Sequence, residues 1–330
     1  MIDESQKSTG LRNYLVVTAS YWAFTITDGA IRMLVVLYFH DLGYDPLDIA
    51  FLFLFYEFFG VVTNLVGGWI GSRLGLNTTM YAGLGLQVIA LGMLAVDPIW
   101  LTVPYVMVAQ ALSGIAKDLN KMSAKASVKL MVPKDAHSTL FKWVAVLTGS
   151  KNSLKGAGFF VGSLLLATVG FRMALILMAS ALFIVLIVTA SLLPGDLGKS
   201  KAKAKFTQVF SKTREINWLS AARFFLFGSR DVWFVVGLPV FLSAQLGWSY
   251  TQVGGYLALW IIAYGLVQAT APQLLRKTYP LHGPDGRTAR LWVFVLAAVP
   301  LGIALALGEG LDPALSVIIG LAIFGIVFAI

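Results

Sequence analysis

Apolar stretches long enough to cross a bilayer recur from one end of this chain to the other, each closed by a short polar break. Few folds tolerate that pattern. Unpaired peptide groups in hydrocarbon cost several kcal/mol each, so a span must satisfy its own backbone as a helix of about 20 apolar residues. Composition agrees: 58% of residues are hydrophobic, 12% are charged, and the mean hydropathy is +0.80. Water-soluble domains lie well outside those values. The fold class expected is an all-α membrane protein.

The polar stretch 1–13 leads directly into an apolar run that contains Asp28 and Arg32. Signal peptides have a shorter apolar region and a small-residue cleavage site, so this run reads as a first, retained span. No soluble domain of any size follows. Cysteine is absent, which removes disulfides and direct thiolate capture of a soft metal or metalloid. His40, His137 and His282 fall in expected loops, which argues against an imidazole proton relay inside the membrane.

Apolar runs set against their interruptions place about ten spans, at 14–39, 47–70, 80–96, 99–119, 143–170, 173–193, 218–242, 253–275, 291–307 and 313–330. One set of connecting loops carries Lys7, Arg12, Arg73, the lysines from Lys117 to Lys142, the run from Lys199 to Arg214, and the arginines from Arg276 to Arg290. The opposite set carries only Arg172. Under the positive-inside rule the N-terminus and the long central loop are cytoplasmic, as expected for a multi-pass protein of a bacterial inner membrane. Topology also accounts for most of the +9 net charge, so no nucleic-acid partner is implied.

The segment PGDLGKSKAKAKFTQVFSKTRE has the composition of a solvated linker and divides the chain into a six-helix unit at 1–193, a linker at 194–215 and a second bundle at 216–330. The two units repeat. Residues 38–51 (YFHDLGYDPLDIAF) align with the stretch around Gly247 at an offset of about 204, and Asp97-Pro98 returns as Asp312-Pro313. Two six-helix bundles in the same orientation are the plan of the major facilitator superfamily, with a substrate cavity between them. Two full units would have twelve spans, so the last two helices are expected to be missing from the sequence. The segment from Gly68 to Gly75 resembles that superfamily's loop signature at Gly68, Arg73 and Gly75, with Ser72 in place of the aspartate.

Charges inside the spans are the candidates for function, because each costs about 2.5 to 3.5 kcal/mol at the bilayer centre unless partnered or hydrated. The bases are Arg32, Lys151, Lys155, Arg223 and Arg230, and the acids are Asp28, Glu57 and Asp231, with Asp118 near a span end. Asp28 and Arg32 are one helical turn apart and can neutralise each other. The repeat offset puts Asp231 beside Asp28, an acid at matching depth in the first helix of each bundle. These three acids are candidates for charge pairing or proton coupling.

Lys151 and Lys155 share a face at about 12 to 18 Å into their helix. With no acid nearby in sequence, they point to an anion, or to pairing with Glu57 or Asp118 across helices. Arg223 and Arg230 share a face too, and arginine grips phosphate-like oxyanions with paired hydrogen bonds. Lys117, Lys121, Lys125 and Lys129 form a ladder suited to acidic lipid headgroups or to an electrostatic funnel at a cavity mouth. No phosphate-binding glycine loop suggests ATP as a driver, and no cofactor is implied. Nor can a nucleophile, base and orienting group be placed together, so no enzyme is expected.

The stretches from Arg12 (RNYLVVTASYWAFTITDGAIRMLVVLYFHDLGY), Phe51 (FLFLFYEFFGVVTNLVGGWIG), Gln110 (QALSGIAKDLNKMSAK) and Trp143 (WVAVLTGSKNSLKG) resemble the ArsJ family of arsenic-resistance transporters. The resemblance implies a major facilitator protein that exports 1-arseno-3-phosphoglycerate, an ester made from arsenate by glyceraldehyde-3-phosphate dehydrogenase. That enzyme would then be a functional partner, not necessarily a physical one. A chain without cysteine suits such a pentavalent oxyanion, which Arg and Lys bind. An anion leaving a negative interior also gains about 2.3 kcal/mol per charge per 100 mV. Other organophosphate or drug transporters of the superfamily, and a membrane receptor without transport, are the alternatives.

Overall fold

The computed structural model of the protein describes residues 4–131, 137–193, 213–278 and 286–329. Among these the chain is helical throughout and passes back and forth ten times. The passes are α1 (Glu4–Asp41); the short α2 (Pro46–Leu52) continued by α3 (Leu54–Leu74); α4 (Leu76–Leu94); and α5 (Val103–Met131). Two passes follow in α6 (His137–Leu192), whose path turns at Gly170 with φ 76° and ψ 172°. The seventh pass is α7 (Arg214–Asp231), a π-helical turn (Val232–Gly237) and α8 (Leu238–Ala244). The last three are α9 (Tyr250–Thr278), α10 (Gly286–Gly308) and α11 (Pro313–Ala329).

Solvation explains most of these elements. Among the described residues, five stretches are long and apolar enough to cross a bilayer by length and composition alone, Thr9–Asp41, Pro46–Leu74, Ser150–Leu192, Tyr250–Gln268 and Arg290–Gly308. The second half of α6 turns Ile176, Leu177, Phe183, Ile184 and Ile187 outward, the surface a lipid-facing helix requires. Inside, Phe24, Ile31, Met33, Leu34 and Phe39 of α1 pack with Phe159 of α6 and with Leu242, Val253 and Leu257 of the second half in one continuous core.

The repeat appears as matched local geometry. Gly43 and Gly247, 204 residues apart, both take positive φ (88° and 66°) at the turn after the first helix of their unit. Each turn ends in a helix cap. Asp45 Oδ1 accepts from the amides of Leu47 and Asp48 at 2.8 and 2.9 Å. At the equivalent position the Ser249 amide donates to Gln252 Oε1 at 2.8 Å, and the Gln252 amide donates to Ser249 Oγ at 3.4 Å, a reciprocal capping box. Asp312 Oδ1 likewise accepts from the Leu315 amide, as Asp97 Oδ1 does from Ile99.

Several boundaries differ from expectation. The α1 helix runs on to Asp41, so His40 lies in its last turn, and His137 opens α6, while His282 is outside the described residues. A helix continues past its apolar run because polar residues lose little by staying helical in water. The segment resembling a loop signature is mostly the last turn of α3, with Gly75 alone making the turn at φ 93°. The linker expected at 194–215 lies outside the described residues up to 212, and α7 already begins at Arg214.

Among the described residues the halves meet along α6 and α9 and at one end of the bundle. The α6 and α9 helices cross closely, with Ala258 against Gly156, Gly254 against Ser163, and Asn152 Nδ2 donating to Gln268 Oε1 at 3.0 Å. At the lysine-poor end α1 packs on α8 and α2 on the π-helical turn. At the other end, residues 214–222 of α7 are exposed. On the lysine-poor side the described residues of the two halves are thus in contact.

Candidate functional site

The α1 and α6 helices run side by side in parallel. Tyr14 stacks on Trp143 with centroids 4.2 Å apart, Trp22 Nε1 donates to Ser150 Oγ at 2.8 Å, and Tyr38 stacks on Phe171. Between these points the backbones touch: a Cβ on Gly158 would strike the Ile26 carbonyl and Gly29, and one on Gly29 would meet the Lys155 carbonyl. That crossing sets Lys155 level with Asp28 and Arg32.

From the opposite side, α5 meets α3 at Gly114, where a Cβ would fall on the Tyr56 carbonyl. One turn later Lys117 arrives beside Tyr56 and Glu57. The candidate charges of the first half thus come from α1, α3, α5 and the first pass of α6.

Arg32 Nη2 donates to Glu57 Oε1 at 2.7 Å, and Lys117 Nζ lies 3.7 Å from Glu57 Oε2, so one carboxylate bridges two cations. Asp28 accepts a 2.5 Å hydrogen bond from the Tyr56 hydroxyl. Asp118 takes Lys121 at 2.9 Å and lies 3.9 Å from Lys117. Among the described residues direct contacts link Arg32, Lys117 and Lys121 with Glu57, Asp118 and, through Tyr56, Asp28, while Lys125 follows one turn after Lys121 on α5 and Lys151 and Lys155 lie one turn apart on α6.

The sequence suggests Asp28 as partner for Arg32, yet the close ion pair is made with Glu57 on the next pass. Helical spacing gives proximity of Cα atoms, whereas the long Arg side chain reaches across to α3. Lys117 belongs to the charge cluster as well as to the basic ladder, because its ammonium turns toward Glu57 and Tyr56. Tyr56 is not among the residues that the sequence singles out, because a hydroxyl-bearing ring in an apolar run carries no mark of a charged neighbourhood. Arg223, Arg230 and Asp231 have backbone positions on the seventh pass, immediately before the π-helical turn, but their side chains lie outside the described ones, as does that of Lys129. Single π turns in helices often mark functional sites.

A basic cluster within a bilayer bundle can hold an oxyanion by charge-assisted hydrogen bonds. The Glu57 side chain is 46% accessible and that of Lys117 23%, against 4% for Arg32.

Comparison with known proteins follows the same lines. The profile of the Major Facilitator Superfamily matches residues 15–330. Among solved structures, a nucleoside transporter, NupG, is similar at TM-score 0.69 and 16% identity, covering 97% of this chain and 80% of that one. A POT family transporter in complex with a thioalcohol-conjugated peptide reaches TM-score 0.71 at 14% identity, covering 96% and 81%. A D-xylose-proton symporter gives TM-score 0.60 at 15% identity, covering 97% and 80%. A search of curated proteins finds no match.

Proposed function

The chain belongs to the major facilitator superfamily and is a secondary transporter, and on that premise we propose that it exports a small anionic organic metabolite, with 1-arseno-3-phosphoglycerate as the cargo. The observation that carries this reading is the meeting of Arg32 and Lys117 at Glu57, with Lys151 and Lys155 on the turns of α6 that pass beside α1. A nucleoside or a sugar needs no such field, whereas an ester bearing phosphate and arsenate groups neutralises it at two ends. Arg223 and Arg230, on the first helix of the second unit, take the second anionic end.

Export proceeds by alternating access. An empty, positive cavity resists closing into a low-dielectric slot, and the bound anion removes that resistance, so substrate licenses the rocking of the two halves. Glu57 occupies two of the cations in the empty site, and Asp28 and Asp231 hold the bases in place without cancelling their charge. The N-terminus faces the cytoplasm of a bacterial inner membrane, and the membrane potential drives the anion outward. Proton coupling through Asp28, Glu57 or Asp231 is the alternative to uniport. Lys121 and Lys125 form the cytoplasmic funnel.

Expressing the gene together with glyceraldehyde-3-phosphate dehydrogenase should lower the arsenic content of arsenate-exposed cells relative to the dehydrogenase alone. Equal arsenic in both strains refutes the assignment of cargo.

A further inference from the structure

Two cations share one aromatic ring. The guanidinium carbon of Arg32 lies 4.4 Å from the centroid of the Tyr56 ring, and Lys117 Nζ lies 4.0 Å from the same centroid. The ring is completely buried, and its hydroxyl donates to Asp28. Tyr56 therefore touches three of the ionised side chains of the cluster while its neighbour in sequence, Glu57, holds the same two cations from the carboxylate side.

We infer that Tyr56 is a positioning residue for the anion site: its ring holds Arg32 and Lys117 together by cation–π attraction and so keeps both charges available to the substrate. The role rests on the reading of this cluster as an anion site.

Two cations brought together repel, and a desolvated pair needs a negative partner. A carboxylate serves, but it neutralises the charge that the substrate must find and competes with it. The face of an aromatic ring attracts both cations through its quadrupole and carries no net charge. When an oxyanion displaces the Glu57 oxygens, Arg32 and Lys117 stay in place because the ring still holds them. Little ordering cost then falls on binding. The backbone supports the arrangement, since the close passage of Gly114 against the Tyr56 carbonyl fixes α5 so that Lys117 follows one turn later.

Phenylalanine and its mono-, di- and trifluorinated forms at position 56 test the role, because fluorine withdraws the quadrupole with little change of shape. Arsenic accumulation is measured in everted vesicles supplied with glyceraldehyde-3-phosphate dehydrogenase, NAD, glyceraldehyde 3-phosphate and arsenate. With Tyr56→Phe as the reference, the trifluorinated ring should raise the apparent KM about tenfold above that of the Phe variant, with kcat little changed. In parallel, Lys117 should become more reactive toward an amine-acylating reagent as fluorines are added. A flat KM across the series in a transporting protein overturns the role of Tyr56 and leaves the transport reading intact. A fall in kcat at constant KM, or constant Lys117 labelling, overturns it equally. Vesicles with the unsubstituted protein that gather no arsenic overturn the transport reading and the role together.

Discussion

Arg32 and Glu57 are bound at 2.7 Å from neighbouring passes, and the two ends of the bond see different surroundings: the Arg32 side chain is 4% exposed, that of Glu57 46%. The pair is a buried cation held by a half-accessible anion. Such an anion is the one an incoming oxyanion can replace.

That asymmetry predicts opposite effects for the two neutral substitutions. Glu57→Gln removes the carboxylate from a buried guanidinium and should cost about 1 to 3 kcal/mol of stability, while anion binding tightens because the internal competitor is gone. Arg32→Gln leaves Glu57 beside Lys117 and partly hydrated, so it should cost about 1 kcal/mol or less and weaken anion binding. Thermal midpoints of the purified protein with and without 3-phosphoglycerate decide the signs; equal ligand responses in both variants would remove Glu57 as a competitor.

Lys155→Gln and Arg230→Gln should each abolish arsenate resistance while the protein still reaches the membrane. Growth on arsenate, together with immunoblots of membrane fractions, reads both quantities. Full resistance in both variants rejects these two residues as substrate contacts.

The funnel lysines should separate by their partners. Lys121 is bound to Asp118 at 2.9 Å, which already offsets its charge. Lys125→Gln should therefore slow uptake at low ionic strength more than Lys121→Gln, and the difference should fade near 1 M salt, where the Debye length is about 3 Å. Initial rates across a salt series supply the check, and salt-independent effects would point to structure instead of steering.

At the α1/α6 crossing, Gly158→Val places methyl groups where the Ile26 carbonyl already sits. The helices must part, with a loss of about 1 to 3 kcal/mol and a displaced Lys155. Lower thermal stability and lower arsenate resistance are expected together; a variant as stable as the parent would mean the crossing is looser than described.

Much of the architecture was legible because lipid imposes one rule along the whole chain. Apolar length alone located the passes, and the repeated turn at Gly43 and Gly247 reappears as matched positive φ and matched caps. The ion pairs were less legible. Spacing put Arg32 beside Asp28 on one helix, but the choice of Glu57 depends on how α1 and α3 pack, which no local pattern encodes. Tyr56 illustrates the same limit: its contacts reach Asp28, 28 positions away, and Lys117 on α5. The π-helical turn after Asp231 also escaped notice, since an extra residue in a helical turn leaves no mark on apolar length.

The central claim is that this positive cluster carries an organic oxyanion across the membrane, and everted vesicles test it most directly. Vesicles containing the protein, offered the enzymatically generated arseno-ester, 3-phosphoglycerate or a lipophilic cation in turn, should accumulate arsenic from the first well above protein-free vesicles and exclude the cation. Accumulation of the lipophilic cation without any arsenic would contradict the account.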